Sequence, residues 1–164
     1  MPDLICNTSP LQYLHQLELV RVLRPLATTV VVPPAVVHEL AAGRSLGLNV
    51  PDVVAFSWIT MRRPASFAAL PLVTDLGPGE TEVLALGLES PESVVVIDDA
   101  VARRVAETLK LRLTGTLGIL LDAKRAGLVS SIRPLLDQLD ALGFRLAAHT
   151  RAAVLERAGE PPDK

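Results

Sequence analysis

The chain has 164 residues, enough for a domain with a buried core, and 49% of them are hydrophobic, which excludes an intrinsically disordered chain. No apolar run reaches the roughly 18 residues that a membrane span needs. The N-terminus has neither the basic start nor the apolar stretch of a signal peptide. The lone Cys6 excludes an internal disulfide framework and a cysteine zinc cluster. We predict a single domain over 1–158 with a disordered tail at 159–164, in a cytoplasmic protein that makes no membrane contact.

Charge is distributed unevenly along the chain. The net charge of −2 gives no overall attraction to nucleic acid, but residues 75–99 hold seven acids and no Lys or Arg, and residues 101–133 hold seven bases against two acids. An acidic centre beside a basic region suits a metal-dependent enzyme that acts on a phosphate polymer. Ordinary solvated helix faces explain the same distribution. Aromatic residues are only 3% of the chain, which argues against extensive base stacking.

Strands and helices alternate in the first part of the chain. In order, we predict strand 4–6, helices 10–17 and 19–25, strand 28–32, helix 35–42 and edge strand 56–61. The stretch 28–32 is rich in β-branched residues, which favour strands. Gly43 is predicted to end the third helix and to open a loop over 43–53. Residues 62–76 carry two prolines and no clear periodicity, so we expect irregular structure there.

The same alternation continues to the C-terminus. In order, we predict helix 79–89, strand 94–97, helix 100–110, strand 112–114, helices 117–126 and 132–142, strand 144–146 and helix 150–158. Gly127 and Gly143 follow two of these helices as stop signals, and Ser130 or Ser131 is the expected cap of the helix at 132–142. Short apolar strands that alternate with helices predict an α/β fold with a mainly parallel sheet.

Two adjacent acids, Asp98 and Asp99, follow the most apolar strand directly. In open α/β sheets, ligands bind beyond the carboxyl ends of the strands. Two neighbouring carboxylates repel each other unless a positive group answers them, and a divalent cation such as Mg²⁺ or Mn²⁺ is the simplest answer. The alternative is that one of the two acids caps the following helix, where a carboxylate is favoured anyway.

Other polar side chains recur near predicted strand ends. Asn7 ends the first strand, Glu39 lies in the helix after the second, and Glu80 opens the helix before the strand at 94–97. Thr114 and Thr116 close the strand that follows. The carboxyl ends of parallel strands lie at one edge of a sheet, so these side chains can converge there with Asp98 and Asp99. The sequence thus predicts an acidic pocket with hydroxyl neighbours.

Five short motifs, in this order and spacing, resemble the PIN-domain family. They are Asn7-Thr8-Ser9-Pro10-Leu11, Val36-Val37-His38-Glu39-Leu40, Gly77-Pro78-Gly79-Glu80, Ile97-Asp98-Asp99 with Ala102-Arg103-Arg104, and Gly115-Thr116-Leu117-Gly118. The chain is most similar to a prokaryotic branch related to the VapC-like toxins. The resemblance covers roughly residues 1–158. It implies a three-layer α/β/α sandwich and metal-dependent cleavage of RNA at a cluster of acids that binds Mg²⁺ or Mn²⁺.

The resemblance also assigns roles to individual residues. Glu39, Glu80 and Asp99 match acids of the family cluster, and Asp98 is either a further carboxylate of the site or an outer ligand. One or two metal ions would lie among these four acids. Ser9 and Thr116 are expected to support the site. The candidates for holding the RNA backbone are Arg103, Arg104, Lys124 and Arg125, for which a solvated helix face is the alternative.

Asn7 departs from the family pattern, which usually has Asp at this position. An Asn side chain offers a metal ion a neutral carbonyl oxygen, so one charge is missing, and Asp98 is a candidate to restore it. The resemblance implies the toxin of a toxin–antitoxin pair, with an antitoxin protein and a homodimer as expected partners. The main alternative is a catalytically weak or inactive PIN fold that binds RNA or a protein. A phosphatase that acts on small phosphate esters is a third hypothesis.

Overall fold

The computed structural model describes residues 1–70 and 75–164. Within these residues, five strands form one sheet in the order β3-β2-β1-β4-β5, and every neighbouring pair is parallel. The strands are β1 (Leu4–Cys6), β2 (Val30–Val32), β3 (Ile59–Met61), β4 (Val94–Val96) and β5 (Arg112–Thr114). Every strand of the sheet was predicted at its place in the chain. The predicted fold class, an α/β/α sandwich around a parallel sheet, is confirmed.

Eight α-helices connect and follow the strands in the described part of the chain. They are α1 (Thr8–Gln16), α2 (Leu23–Leu26), α3 (Pro34–Ser45), α4 (Pro78–Glu89), α5 (Ala100–Thr108), α6 (Thr116–Arg125), α7 (Arg133–Ala141) and α8 (Ala148–Arg157). Short 3₁₀ turns lie at Val20–Val22 and Val53–Ala55. None of these helices is long and apolar enough to cross a membrane.

Some predicted boundaries were wrong. Helix α3 continues through Gly43 to Ser45, and Gly47 takes the left-handed backbone conformation, φ +82°, after the helix has ended. Residues 144–146 form no strand. Neither Ser130 nor Ser131 is the N-cap of α7; that position is held by Ile132, which provides no side-chain cap. Residues 71–74 of the stretch predicted to be irregular lie outside the described residues.

The chain divides into two compact units, Met1–Thr116 and Leu117–Lys164. The single domain predicted over 1–158 stays a prediction. In the second unit the carboxylate of Glu160 accepts hydrogen bonds from the Lys124 ammonium at 2.8 Å and from the backbone N–H of Ile132 at 2.6 Å. Asp163 pairs with Arg151, 2.7 Å away. The disorder expected at 159–164 also stays a prediction, but two of its residues hold these contacts in the structure.

The sheet is the centre of the first unit's core. Every residue of β1 and β2 is buried, as are Val95, Val96 and Ile97 around the end of β4. Burying one such side chain completely contributes about 1.5–3 kcal/mol. Helix α4 packs on β1 and β4 and also contacts α3 and α5. Cys6 is fully buried, and this burial raises the pKa of its thiol to about 12, so it serves as a small core residue.

Candidate active site

The sheet register places the carboxyl ends of β1, β4 and β5 side by side. We call this end of the sheet the carboxyl edge, or simply the edge. Cys6 pairs with Val96, and Val96 pairs with Thr114, so the residues after these three positions lie side by side. The N–H of Asn7 donates to the carbonyl of Val96 at 3.0 Å, which extends this pairing by one residue. This edge therefore collects the polar residues that follow the three strands.

Asn7 is a buried polar residue at the end of β1. The residue is 2% exposed, and within the described residues its Oδ1 atom has no hydrogen-bond partner. Asn7 is the N-cap residue of α1, yet its side chain makes no capping hydrogen bond. Asparagine is favoured at this position because its oxygen normally accepts a first-turn N–H. A buried acceptor that is left unsatisfied costs about 1–3 kcal/mol, so this oxygen is a candidate ligand atom.

Two contacts of its carboxylate hold Glu39 against Thr8 and the start of α4. The hydroxyl of Thr8 donates to Oε2, and the backbone N–H of Gly79 donates to Oε1 at 3.0 Å. A Cβ atom on Gly79 would lie 2.5 Å from Oε2, so the absence of a side chain at 79 allows this close approach. Since a carboxylate has about four lone-pair sites, two of them remain available to a metal ion.

Glu80 is in the first turn of α4, where the helix dipole favours an acid. It is half-buried. Its Oε2 atom lies 2.8 Å from the point that a Cβ on Gly77 would occupy, so the carboxylate folds back over the N-cap residue of its own helix. Glu39 and Glu80 therefore both hold carboxylates at the N-terminus of α4.

Asp98 is bound to Thr116 by two hydrogen bonds. The backbone N–H of Thr116 donates to Oδ1 at 2.8 Å, and its hydroxyl donates to Oδ2 at 2.6 Å. Burial raises the pKa of the Asp98 carboxyl, while the bonds from Thr116 and the charge of Arg103 act to lower it. A Cβ on Gly115 would lie 2.7 Å from Asp98 Oδ1 and 2.9 Å from Arg103 Nη1. Asp98 is thus enclosed by groups of this chain.

Asp99 is the N-cap residue of α5. Its Oδ2 atom accepts the N–H of Ala102 at 2.9 Å, and the residue is exposed. Asp99 therefore caps the following helix, which was the alternative to metal binding for one of the two acids. The cap engages one carboxylate oxygen, so capping and a ligand role are compatible at this residue.

The four basic candidates differ in what they contact. Arg103 donates through Nη1 to the carbonyl of Ile97 at 2.6 Å, which directs it toward the protein. Arg104 is exposed on α5. In the second unit, Lys124 pairs with Glu160 and Arg125 pairs with Asp122 at 3.0 Å. Of the two candidates in the first unit, Arg104 is the exposed residue.

The donor set at the edge is mixed. Within 1–70 and 75–164, no three His, Cys, Asp or Glu side chains lie close enough together to hold a metal ion. The oxygens at the edge are of the type that Mg²⁺ and Mn²⁺ prefer, and the unpartnered Asn7 oxygen is an acceptor that a cation would satisfy. The residues therefore fit a divalent cation held by few charges.

Ser9, which was expected to support the site, lies in the first turn of α1, two residues from Asn7.

Sequence reasoning missed two residues that shape this edge. Thr8 and Gly79 both bind Glu39, but they lie 31 and 40 positions from it in the chain. The contact of Gly79 could have been anticipated from its place directly after Pro78 at a helix start. Proline has no N–H, so the N–H of Gly79 is the first one there that needs an acceptor.

Comparison with known families identifies the class of this protein. Residues 3–160 match the model of a family described as PIN domain, and the chain belongs to that family. PIN domains generally use divalent metal ions, in agreement with the oxygen-rich edge described above. No curated protein matched the chain. The relation to VapC-like toxins stays a prediction.

Proposed function

We propose that this protein is a metal-dependent ribonuclease whose cation site lies at the carboxyl edge of β1 and β4. The observation that carries the proposal is the Asn7 oxygen, which is buried, unpartnered among the described residues and adjacent to the Thr8–Glu39 contact. Family membership supports a nuclease type of fold. The exposed Arg104 on the neighbouring helix supports a phosphate-containing substrate.

Four residues are the candidate ligands of the cation. Asn7 would contribute its amide oxygen, and in the present arrangement at most two of Glu39, Glu80 and Asp99 would contribute carboxylate oxygens, because no three acids among the described residues lie close enough together to hold one ion. A bound divalent cation would lower the pKa of a water ligand and neutralise charge on the phosphate. Asp98 stays outside this set because Thr116 binds both of its oxygens and the positive charge of Arg103 already acts on its carboxylate. With few charges and one neutral ligand, the affinity for the cation is expected to be modest.

The side chains at the edge divide the remaining work. Asp99 has one oxygen held by the N–H of Ala102, and its other oxygen can either bind the cation or accept a proton from an attacking water. The Asp98–Thr116 contact holds the loop after β4 against the start of α6. Arg104 can pair with a backbone phosphate. Asp98 and Asp99 are already oriented by hydrogen bonds from the protein, which lowers the cost of reaching the reactive geometry.

The finer parts of the proposal come from the resemblance. They are Mg²⁺ or Mn²⁺ as the metal, RNA as the polymer, and action as the toxin of a toxin–antitoxin pair with an antitoxin partner and a homodimeric state. Cleavage of an RNA pool, compared with single-stranded DNA of matched length, checks the polymer. Selective cleavage of the DNA would contradict the proposal that RNA is the substrate.

The substitution Asp99→Asn tests the function directly. Asn caps helices as well as Asp does, so the variant should keep the wild-type stability. It removes a charged ligand or proton acceptor, so Mn²⁺-dependent RNA cleavage should fall by about a hundredfold or more. The matched control is Glu107→Gln, which removes one exposed acid on the same helix. Full activity of Asp99→Asn would make this residue a cap alone.

A second function is favoured by one observation. Glu39, Asp98 and Asp99 all accept hydrogen bonds from the protein, and no three acids in the described ranges converge on one point. This arrangement suits a PIN fold that binds RNA or a protein without turnover. RNA binding in the presence of Mn²⁺ with no cleavage of any RNA in the pool would favour this function over the nuclease.

A further inference from the structure

Helices α3 and α4 cap each other's N-termini. Glu39 of α3 accepts the N–H of Gly79 at the start of α4, at 3.0 Å. Glu82 of α4 accepts the N–H of Ala35 at the start of α3, at 2.7 Å. The two contacts form a reciprocal pair in which each helix supplies the carboxylate that accepts the first free N–H of the other helix.

The sequence at the two helix starts explains why acids are needed there. Both α3 and α4 begin with a proline, Pro34 and Pro78, which has no N–H. The N-cap residues before them, Pro33 and Gly77, provide no side-chain hydrogen bond. The next N–H along each helix is therefore without a local acceptor. A carboxylate is the strongest acceptor for such a group because the bond is charge-assisted and the helix dipole favours it.

The spacing places the four groups on facing sides of the helices. Ala35 and Glu39 are four residues apart on α3, and Gly79 and Glu82 are three apart on α4, so each pair lies on one face of its helix. The two hydrogen bonds are thus about one turn apart. Two contacts separated in this way restrict rotation and sliding of one helix against the other, which a single contact leaves free.

We propose that Glu82 is a positioning residue that sets the location of the Glu39 carboxylate. Glu82 holds the first turn of α3 through Ala35, and Glu39 lies one turn further along that helix. The other oxygen of Glu39 binds Thr8, next to Asn7. Glu82 thereby controls where the Glu39 carboxylate lies relative to Thr8, just after β1. The consequence for cation binding rests on the function proposed above, whereas the coupling between the two helices does not.

Amide hydrogen exchange in the intact chain tests the coupling without any metal. Glu82→Ala removes the acceptor of Ala35, and the exchange rate of the Gly79 amide should rise by about tenfold as Glu39 loses its position. Glu82→Gln keeps an oxygen that can accept the Ala35 N–H and should restore the slow exchange. The Val96 amide in the central sheet serves as internal reference, since global destabilisation raises both rates together.

Two controls make this result specific. Glu107→Ala removes an exposed acid from α5 and should leave the Gly79 amide unchanged. Glu39→Ala should in turn raise the exchange of the Ala35 amide, because the pair is reciprocal. An unchanged Gly79 amide in Glu82→Ala, relative to Val96, would overturn the proposal.

A Mn²⁺ titration by calorimetry then measures the consequence for the site. Glu82→Ala should bind Mn²⁺ about tenfold more weakly than wild type, and Glu82→Gln should bind like wild type. Equal affinity of Glu82→Ala and wild type would contradict the positioning role. If wild type itself binds no Mn²⁺, the proposed function fails, while the exchange experiment still decides whether Glu82 positions Glu39.

Discussion

Asp98 binds both polar hydrogens of Thr116, the backbone N–H at 2.8 Å and the hydroxyl at 2.6 Å. The two residues are 18 positions apart, and Thr116 is fully buried at the start of α6. The contact joins the loop after β4 to the end of β5. Burial raises the pKa of the Asp98 carboxyl, and the two hydrogen bonds from Thr116 partly offset this effect by stabilising the charged form.

Removing the hydroxyl of Thr116 should therefore destabilise the protein. Thr116→Val keeps the shape of the side chain but leaves Oδ2 of Asp98 without that donor, which should lower the free energy of unfolding by about 1–3 kcal/mol. Thr116→Ser keeps the hydroxyl and should lose about 1 kcal/mol, because it removes one methyl group. Urea denaturation compares the two variants. A smaller loss for Val than for Ser would contradict the role of the hydroxyl.

Asn7→Asp should strengthen cation binding and weaken the metal-free protein. The new carboxylate would be buried without a partner, so the free energy of unfolding without metal should fall by about 2 kcal/mol or more. With Mn²⁺ the added charge should raise the affinity by roughly tenfold. Calorimetry and denaturation measure the two effects. Gln12→Glu, which adds an acid further along α1, is the control, and an unchanged Mn²⁺ affinity in Asn7→Asp would count against a ligand role.

Gly79→Ala should be harmful although alanine favours helices. Its Cβ would lie 2.5 Å from Oε2 of Glu39, so the carboxylate must move away from the start of α4. We expect a loss of about 1–3 kcal/mol in the free energy of unfolding and weaker Mn²⁺ binding. Gly43→Ala is the matched control, since its Cβ would meet Val50 at an ordinary 3.4 Å. That variant should be neutral or gain up to about 1 kcal/mol.

Glu160 should make stability depend on pH in the acid range. Burial raises the pKa of its carboxyl, but hydrogen bonds from Lys124, from the backbone of Ile132 and Arg133 and from Ser131 outweigh this effect and lower the pKa to about 2 from 4.5. Because the folded pKa is depressed, the stabilisation is complete above pH 4.5 and is lost as the pH falls toward 2.

Glu160→Gln isolates this contribution. At pH 7 the variant should lose about 1–3 kcal/mol of unfolding free energy, because charge-assisted hydrogen bonds to four donors become neutral. The difference from wild type should shrink between pH 5 and pH 2, as the wild-type carboxyl takes up its proton. Denaturation at several pH values provides the measurement, and a difference that does not vary over this range would contradict the predicted linkage.

The sheet could be predicted because its signals are local. The runs of valine at 30–32 and 94–96 have no polar alternation, which is typical of strands covered on both faces. Gly127 and Gly143 adopt positive φ angles after α6 and α7, as their places in the sequence indicated. Gly43 failed as a stop signal because a glycine in a helix costs only about 1 kcal/mol, which packing of the helix can outweigh.

The residues of the site could be named from the sequence, but their partners could not. Asp99 as a helix cap was among the alternatives because capping involves neighbours in the chain. The contacts of Asp98 with Thr116 and of Glu82 with Ala35 join residues 18 and 47 positions apart. Pairings of this kind depend on how the elements pack, and no spacing rule within one helix or strand predicts them.

A Mn²⁺ titration by calorimetry, followed by an RNA cleavage assay, tests the central claim most directly. The proteins to compare are wild type, Glu39→Gln/Asp99→Asn and the control Glu107→Gln. We predict that wild type and the control bind Mn²⁺ and cleave RNA, and that the double variant does neither while remaining folded. Absence of Mn²⁺ binding by the wild-type protein, or cleavage by the double variant at the wild-type rate, would contradict the assignment of a metal-dependent nuclease site to this edge.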